Sequence, residues 1–403
     1  MHDDESPLSA PGFQRLATSY AVNELGDNLG VVALALLVLD GTDSALATTA
    51  LFLCSRFVPA FVAPALTARL DRMLVSRSLP LLYVLEAMAF AGLAVIAATG
   101  FSLPLVLILA AVDGTLALTG RGLSRAAVAA VLKPRNALRK GNALLNAIFA
   151  ITSAAGPLLA GVLVAAAGTS AALWVDAASF AAIALLLATA RTLPVGSTDE
   201  SEAGWWQRMR AGLVAVREEP IRTLIAAQTV AFIFFFLVIP IEVVYAVDSL
   251  DAGNVGYGAL LAAWGVGMVI GSGVFARMRN RSTRALVFAS TLCVGIGYLG
   301  LAAAPGIVLA CVASVVGGTG NGVQWVSVLT TIQEAVTEAL QARVVGLMES
   351  MAAAAPGVGF LLGGVLTTAW SPRLAYLVAG VGVVAIAFVV LHRIAPSRLP
   401  PAT

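Results

Sequence analysis

Gly156-Pro157-Leu158-Leu159-Ala160-Gly161-Val162-Leu163 returns as Gly359-Phe360-Leu361-Leu362-Gly363-Gly364-Val365-Leu366, 203 positions later in a chain of 403 residues. A second echo keeps nearly the same spacing. Asp40-x-x-Asp43 ends one apolar run, and Asp248-x-x-Asp251 ends another. Two related, strongly apolar halves are the mark of a transport protein built from paired helical bundles that rock around a shared midplane site.

Composition fixes the solvent. Hydrophobic residues make up 59% of the chain and charged residues 11%, against roughly 25% charged residues in soluble domains. The chain is therefore read as an all-α integral membrane protein. Its net charge of +2 gives no field for nucleic acid. Cys54, Cys293 and Cys311 all lie in apolar runs and read as packing residues, with no disulfide framework. The polar, acidic start (Asp3, Asp4, Glu5) is unlike a cleavable signal peptide.

A crossing needs about 20 mostly apolar residues. Twelve such runs are expected, near 15–39, 45–68, 78–99, 102–126, 142–166, 171–190, 222–247, 254–276, 284–304, 306–330, 344–369 and 373–392. They form two pseudo-symmetric six-helix bundles, 1–191 and 222–403. The linker between them, 192–221, carries Trp205, Trp206, Met209, Leu213 and Val216 on one helical face, which suits an amphipathic helix in the membrane interface. Arginines and lysines fall on alternate loops, and the opposite loops hold acids with Arg373 as their one basic residue. The positive-inside rule then places both termini in the cytoplasm.

Ionisable groups inside hydrocarbon mark function by default. The first span carries Asn23, Glu24, Asp27 and Asn28, and Glu24 and Asp27 share a face. Arg56 on the second span lies at about the same depth, so a pair with Asp27 or Glu24 is expected. One reading is a structural ion pair. The other is a proton site, in which protonation breaks the pair, because one arginine facing two acids leaves one of them without a counter-charge. Asp113 reads as a cavity-lining residue, Glu86 as a further polar contact, and Arg121 as a snorkelling side chain near the cytoplasmic end. Asp176 and Glu242 read as helix-end or gate residues near the outer face. In the second half, Asn321, Gln324 and Trp325 share one helical face and offer hydrogen bonds and stacking. Phe232, Phe234, Phe235 and Phe236 read as packing or lipid-facing surface. Gly156, Pro157 and Gly161, with their counterparts in the repeat, permit close helix approach and bending.

Catalytic and nucleotide signatures are missing. The two histidines are His2 and His392, and no G-x-x-x-x-G-K-[ST] phosphate loop occurs. No cofactor or metal is expected, and an enzyme is the least favoured class.

The chain resembles the major facilitator superfamily over nearly its whole length. Within it the chain is similar to the bacterial exporter branch that includes enterobactin-exporter-like and multidrug efflux proteins. The phrases that carry this are Leu25-Gly26-Asp27-Asn28, Arg56-Phe57-Val58-Pro59, Asp176-Ala177-Ala178-Ser179-Phe180, and Gln333-Glu334 followed by Arg343-Val344-Val345-Gly346-Leu347. The superfamily's loop motif after span 2 survives as Asp71-Arg72 and Arg77, with Thr67 and Leu74 in place of its glycines. Its antiporter motif G-x-x-x-G-P-x-x-G-G survives at Gly156, Pro157 and Gly161, and departs at Thr152 and Ala160. The resemblance implies a cavity lined by spans 1, 4, 7 and 10, an intracellular latch at Asp71 and Arg72, and proton antiport. The expectation is a monomeric exporter in a bacterial cytoplasmic membrane that exchanges protons for a small amphipathic or hydrophobic drug, antibiotic or siderophore-like compound. Asp27, Glu24 and Arg56 would couple to protons. Asn23, Asp113, Glu86, Asn321, Gln324 and Trp325 would contact substrate. Arg121, Gly156, Pro157 and Gly161 would serve gating or structure. Two alternatives stand beside this: a lysophospholipid or lipid flippase, and a non-transporting receptor or sensor of the same fold.

Overall fold

The structure is a computed structural model, and it describes residues 6–70, 75–189, 221–278, 282–335 and 338–393. Every long element among them is helical. We number these α1 (Pro11–Thr42), α2 (Ala45–Phe52), α3 (Val58–Leu70), α4 (Val75–Thr99), α5 (Leu103–Leu132), α6 (Leu138–Ala188), α7 (Ile221–Val238), α8 (Gly253–Met278), α9 (Thr283–Ala303), α10 (Ile307–Ala335), α11 (Glu338–Ala369) and α12 (Pro372–Arg393). Asp71 and Arg72 of the loop motif and nearly all of the 192–221 linker lie outside the described residues.

The numbering and the membrane crossings do not coincide. A π-helical turn, Leu53–Phe57, joins α2 to α3, so the two form one crossing. Helix α6 is broken at Gly168, whose φ of 84° and ψ of 166° are open to glycine and strained for other residues. It therefore supplies two crossings. Ten described helices are long and apolar enough to cross a membrane, and Ala353–Ala369 is a shorter apolar one. With α6 counted as two, these are consistent with twelve.

Two compact units emerge, Met1–Glu200 with Ala246–Ala262, and Ser201–Tyr245 with Ala263–Thr403. Both have an apolar core and also present apolar side chains outward. Large apolar side chains such as Ile108, Ile151, Leu185 and Val308 are 59 to 74% exposed, a surface suited to lipid. Many hydroxyl groups in the helices are satisfied locally, as hydrocarbon favours. The hydroxyls of Thr42, Thr49, Thr115 and Thr119 donate to carbonyls four residues earlier. Helix ends follow ordinary chemistry. Ser44 and Ser282 accept backbone N–H bonds at the starts of α2 and α9. The repeated acidic phrase has a common geometry, since Asp43 (φ 48°) and Asp251 (φ 50°) both adopt the left-handed conformation beside a helix terminus. Arg373 donates to the carbonyls of Ala302 (3.2 Å) and Ala304 (2.7 Å) at the end of α9. That contact explains a lone arginine among acidic loops.

Helices in lipid gain little from burying apolar surface against each other, so close approach at small residues holds them. Within the first unit, a Cβ on Gly156 would lie 2.8 Å from that of Asn28, and one on Gly161 would lie 2.5 Å from the Asn254 carbonyl. The repeat does the same in the second unit, where Gly359 and Gly363 face the backbone of Ile233 and Leu237 on α7. The Phe cluster there is packing surface. Phe236 meets Phe232, Phe235 and Phe360 with centroids 5.5 to 6.2 Å apart. The three cysteines are free.

Because the neighbour of Gly363 is backbone and cannot rotate away, Gly363→Val should cost about 1–3 kcal/mol. Gly306→Ala, with nothing within 4 Å of its added methyl, should be neutral. Thermal unfolding in detergent, followed by fluorescence-detected size exclusion, checks this: a lower midpoint for the first variant and an unchanged one for the second.

Candidate functional site

Helix α1 is the axis of the first unit's polar interior. Three consecutive faces meet different partners. Gly26 and Gly30 receive the carboxyl group of Asp176, Asn28 meets Gly156, and Asp27 meets Arg121. The Arg121 Nη2 to Asp27 Oδ2 distance is 2.6 Å, with Arg121 43% and Asp27 18% exposed. The Asn23 amide donates to the same oxygen at 3.2 Å, one helical turn away. Asp27 is thus held by one charge and one neutral donor.

The expected partner was Arg56, and the structure corrects this. At 1.5 Å per residue from the helix ends nearest Asp43, Asp27 lies about 22 Å deep, Arg56 about 16 Å and Arg121 about 27 Å. Arg121 sits about one turn past Asp27, and its long side chain reaches back instead of snorkelling outward. Arg56 lies in the π-helical turn and stands open to a cavity.

That cavity has a volume of about 200 Å³. Its polar lining is Asp27, Ser55, Arg56, Asp113 and Arg121, and Phe52, Pro59 and Phe90 are among its apolar walls. Drug-sized ligands occupy roughly 300–1,000 Å³, so the space suits water and protons better than a whole organic substrate. Gly114 allows the approach of the second crossing, because a Cβ there would run into the Ser55 carbonyl. Asp113 lines the cavity as expected, and its Oδ1 has no hydrogen-bond partner.

Several expected contacts have other roles. Asn23 is 6% exposed and positions Asp27. Glu24 is 7% exposed, and the Tyr20 hydroxyl donates to it. Glu86 is fully buried, lies outside the cavity lining, and neither of its oxygens has a hydrogen-bond partner. It cannot touch a ligand in that cavity. Asp176 is not at a helix end: it packs against Gly26 and Gly30 and is fully buried. In the second unit Gln324 donates to Thr291 at 2.9 Å, tying α10 to α9. Asn321 is half-buried on the same helix, and the Trp325 side chain lies outside the described residues. The signal for Arg121 was available in the sequence as a second intramembrane arginine, but snorkelling was the cheaper reading for a long side chain near a helix end.

A half-exposed pair is partly screened, so the coupling of Asp27 and Arg121 should be modest. A double-mutant cycle of Asp27→Asn and Arg121→Gln, read as thermal stability in detergent, should give about 1 kcal/mol. Additive losses would show that the pair is not energetically linked.

Comparison with known proteins follows this geometry. A family model described as transmembrane secretion effector matches residues 4–401. The multidrug efflux pump Tap of Mycolicibacterium fortuitum is 28% identical over 242 residues, which cover 58% of this chain and 58% of the pump. The chain therefore spans under two thirds of the length of that curated relative. Among solved structures, a bacterial homologue of the iron transporter ferroportin superposes with a TM-score of 0.73 at 16% identity, covering 96% of this chain and 99% of that one. The nucleoside transporter NupG superposes with a TM-score of 0.72 at 14% identity, covering 95% and 99%. These likenesses establish the fold. With a family model spanning nearly all of its length and an all-helical membrane architecture to match, the chain belongs to the transmembrane secretion effector family of the major facilitator superfamily.

Proposed function

We propose that this protein is a secondary active exporter. It would move a small amphipathic or hydrophobic compound out of the cell in exchange for protons, by alternating access, from a bacterial cytoplasmic membrane with both termini inside. The halves 1–191 and 222–403 would be the rocking bodies. The observation that carries this reading is the Asp27–Arg121 ion pair, opened to a small polar cavity and steadied by Asn23. Protonation of Asp27 removes the negative partner and frees Arg121. A free guanidinium beside Arg56 raises the positive charge of the cavity, and Asp113, with an unpartnered oxygen, is the acid placed to answer it. A proton thus exchanges one pairing for another, which is what a bistable helical bundle needs to be biased. The similarity to a multidrug efflux pump supports the direction of transport and the substrate class. Substrate itself would be held outside this 200 Å³ chamber, whose role is coupling.

Efflux of ethidium from pump-deficient cells tests this. Cells expressing the protein should lose dye faster than controls, a protonophore should abolish the difference, and Asp27→Asn should abolish it at equal expression. Wild-type efflux in Asp27→Asn would overturn the coupling role. Efflux insensitive to the protonophore would overturn proton antiport, and ligand binding without flux would favour a receptor.

A further inference from the structure

Five carboxyl groups, Glu24, Asp27, Glu86, Asp113 and Asp176, share the interior of the first unit with two guanidiniums, Arg56 and Arg121. Fully ionised, five acids against two bases leave a large negative excess in low dielectric. The cavity accounts for Asp27, Asp113 and both arginines, and Tyr20 accounts for Glu24. Glu86 and Asp176 remain. Both are 0% exposed. Among the described residues, Glu86 has no hydrogen-bond partner at either oxygen, and Asp176 has none at Oδ2, while its Oδ1 accepts from Ser179 at 3.3 Å.

Aromatic rings pack beside them. Tyr83 and Phe90 of α4 stack on Phe180, which lies one turn beyond Asp176, with centroids 6.2 and 5.4 Å away. Phe90 belongs to two places at once. It is among the cavity-lining residues, and its ring faces Gly30, the same glycine that the Asp176 carboxyl group faces. A Cβ on Gly30 would lie 2.6 Å from Asp176 Oδ2 and 2.7 Å from the Phe90 ring. Phe90 is therefore shared between the cavity lining and the Gly30 notch that receives Asp176. The charged and titratable groups that act on Glu86 are Asp113 and Arg121 from α5, Asp27 from α1, Asp176 from α6 and Tyr83 from its own helix. Those that act on Asp176 are Asp27, Asp113 and Ser179.

We propose that Glu86 and Asp176, at the packed α4–α6 face, form a second proton-holding site, bordered by Phe90 and coupled to Asp27 through the Gly26–Gly30 segment of α1. An unpaired carboxylate in this setting is costly, and a bound proton removes the charge. The ligand is a proton and not a metal ion. A hard cation asks for about six oxygens, and the two carboxyl groups and Ser179 offer fewer. Proton loss breaks one O–H bond, leaves the electron pair on the carboxylate, and sets a negative charge in the Gly26–Gly30 notch, beside Asp27 on the same helix. The site would add a second proton to the cycle proposed above, and in that respect it rests on that reading.

Infrared spectroscopy of the full chain in phosphatidylcholine–phosphatidylglycerol nanodiscs tests the site without any transport substrate, so failure of dye efflux would leave its outcome intact. At pH 7.5 the wild type should show the C=O stretch of protonated carboxyl groups. Glu86→Gln and Asp176→Asn should each lose part of that band. Asp27→Asn should move its disappearance to lower pH, by removing a neighbouring negative charge, and Phe90→Ala should speed its shift in D₂O. Wild-type protein carrying ¹³C-labelled Glu or ¹³C-labelled Asp divides the band by residue type, and Glu86→Asp and Asp176→Glu, which exchange the label that shifts each contribution, assign it within the type. A band unchanged in both acid variants, or with no contribution from either label, would overturn the site. So would a band indifferent to Asp27→Asn. Loss of the band on adding sodium chloride, but not choline chloride, would identify a metal-ion site instead.

Discussion

A charge in hydrocarbon must find a partner, and most of what is distinctive in this protein follows from that requirement. Asp27 sits deep in α1, where an unpaired carboxylate would be expensive, and Arg121 and Asn23 converge on one of its oxygens. The pair is not sealed. Arg121 remains 43% exposed to a small polar cavity, so the interaction is strong enough to organise the bundle and weak enough to break. A fully buried pair would resist opening, and a pair in bulk water would have little to gain from forming.

Helix α1 meets different partners on its other faces, and small residues make room for them. Gly26 and Gly30 open a notch for Asp176, and Gly156 yields to Asn28. Small residues therefore serve two purposes along this helix: they bring backbones together where apolar burial gives no drive, and they admit polar groups that a larger side chain would exclude. The same economy appears in the repeat, where Gly359 and Gly363 meet the backbone of α7. The recurrence of one short phrase in both halves is thus a recurrence of one packing solution.

Much of the architecture was legible in the sequence. The apolar runs, the duplicated phrase and the breaks between spans correspond to described helices, including the division of the 51-residue α6 at Gly168. Asp27 was legible as an ion-pairing or proton-site acid and Asp113 as a cavity-lining one, because charge is rare in such a chain. Their partners were less so. Approximate span boundaries put Arg56 level with Asp27, but the observed helix ends set it about 6 Å shallower, and Arg121 reaches back to the acid instead. Glu86 and Asp176 misled for a related reason: linear position gives depth, but not which side of α4 or α6 faces a cavity. Gln324 shows the same limit, since a helix-to-helix hydrogen bond and a ligand contact look alike in sequence.

The account stands on Asp27 as the group whose protonation is exchanged for substrate. The most direct measurement is lumenal pH in proteoliposomes of the purified protein loaded with pyranine and given an ethidium gradient. The account predicts a pH change opposite in direction to dye movement in the wild type and no pH change with Asp27→Asn. Dye movement without a pH change in the wild type, or an undiminished pH change in the variant, would contradict it.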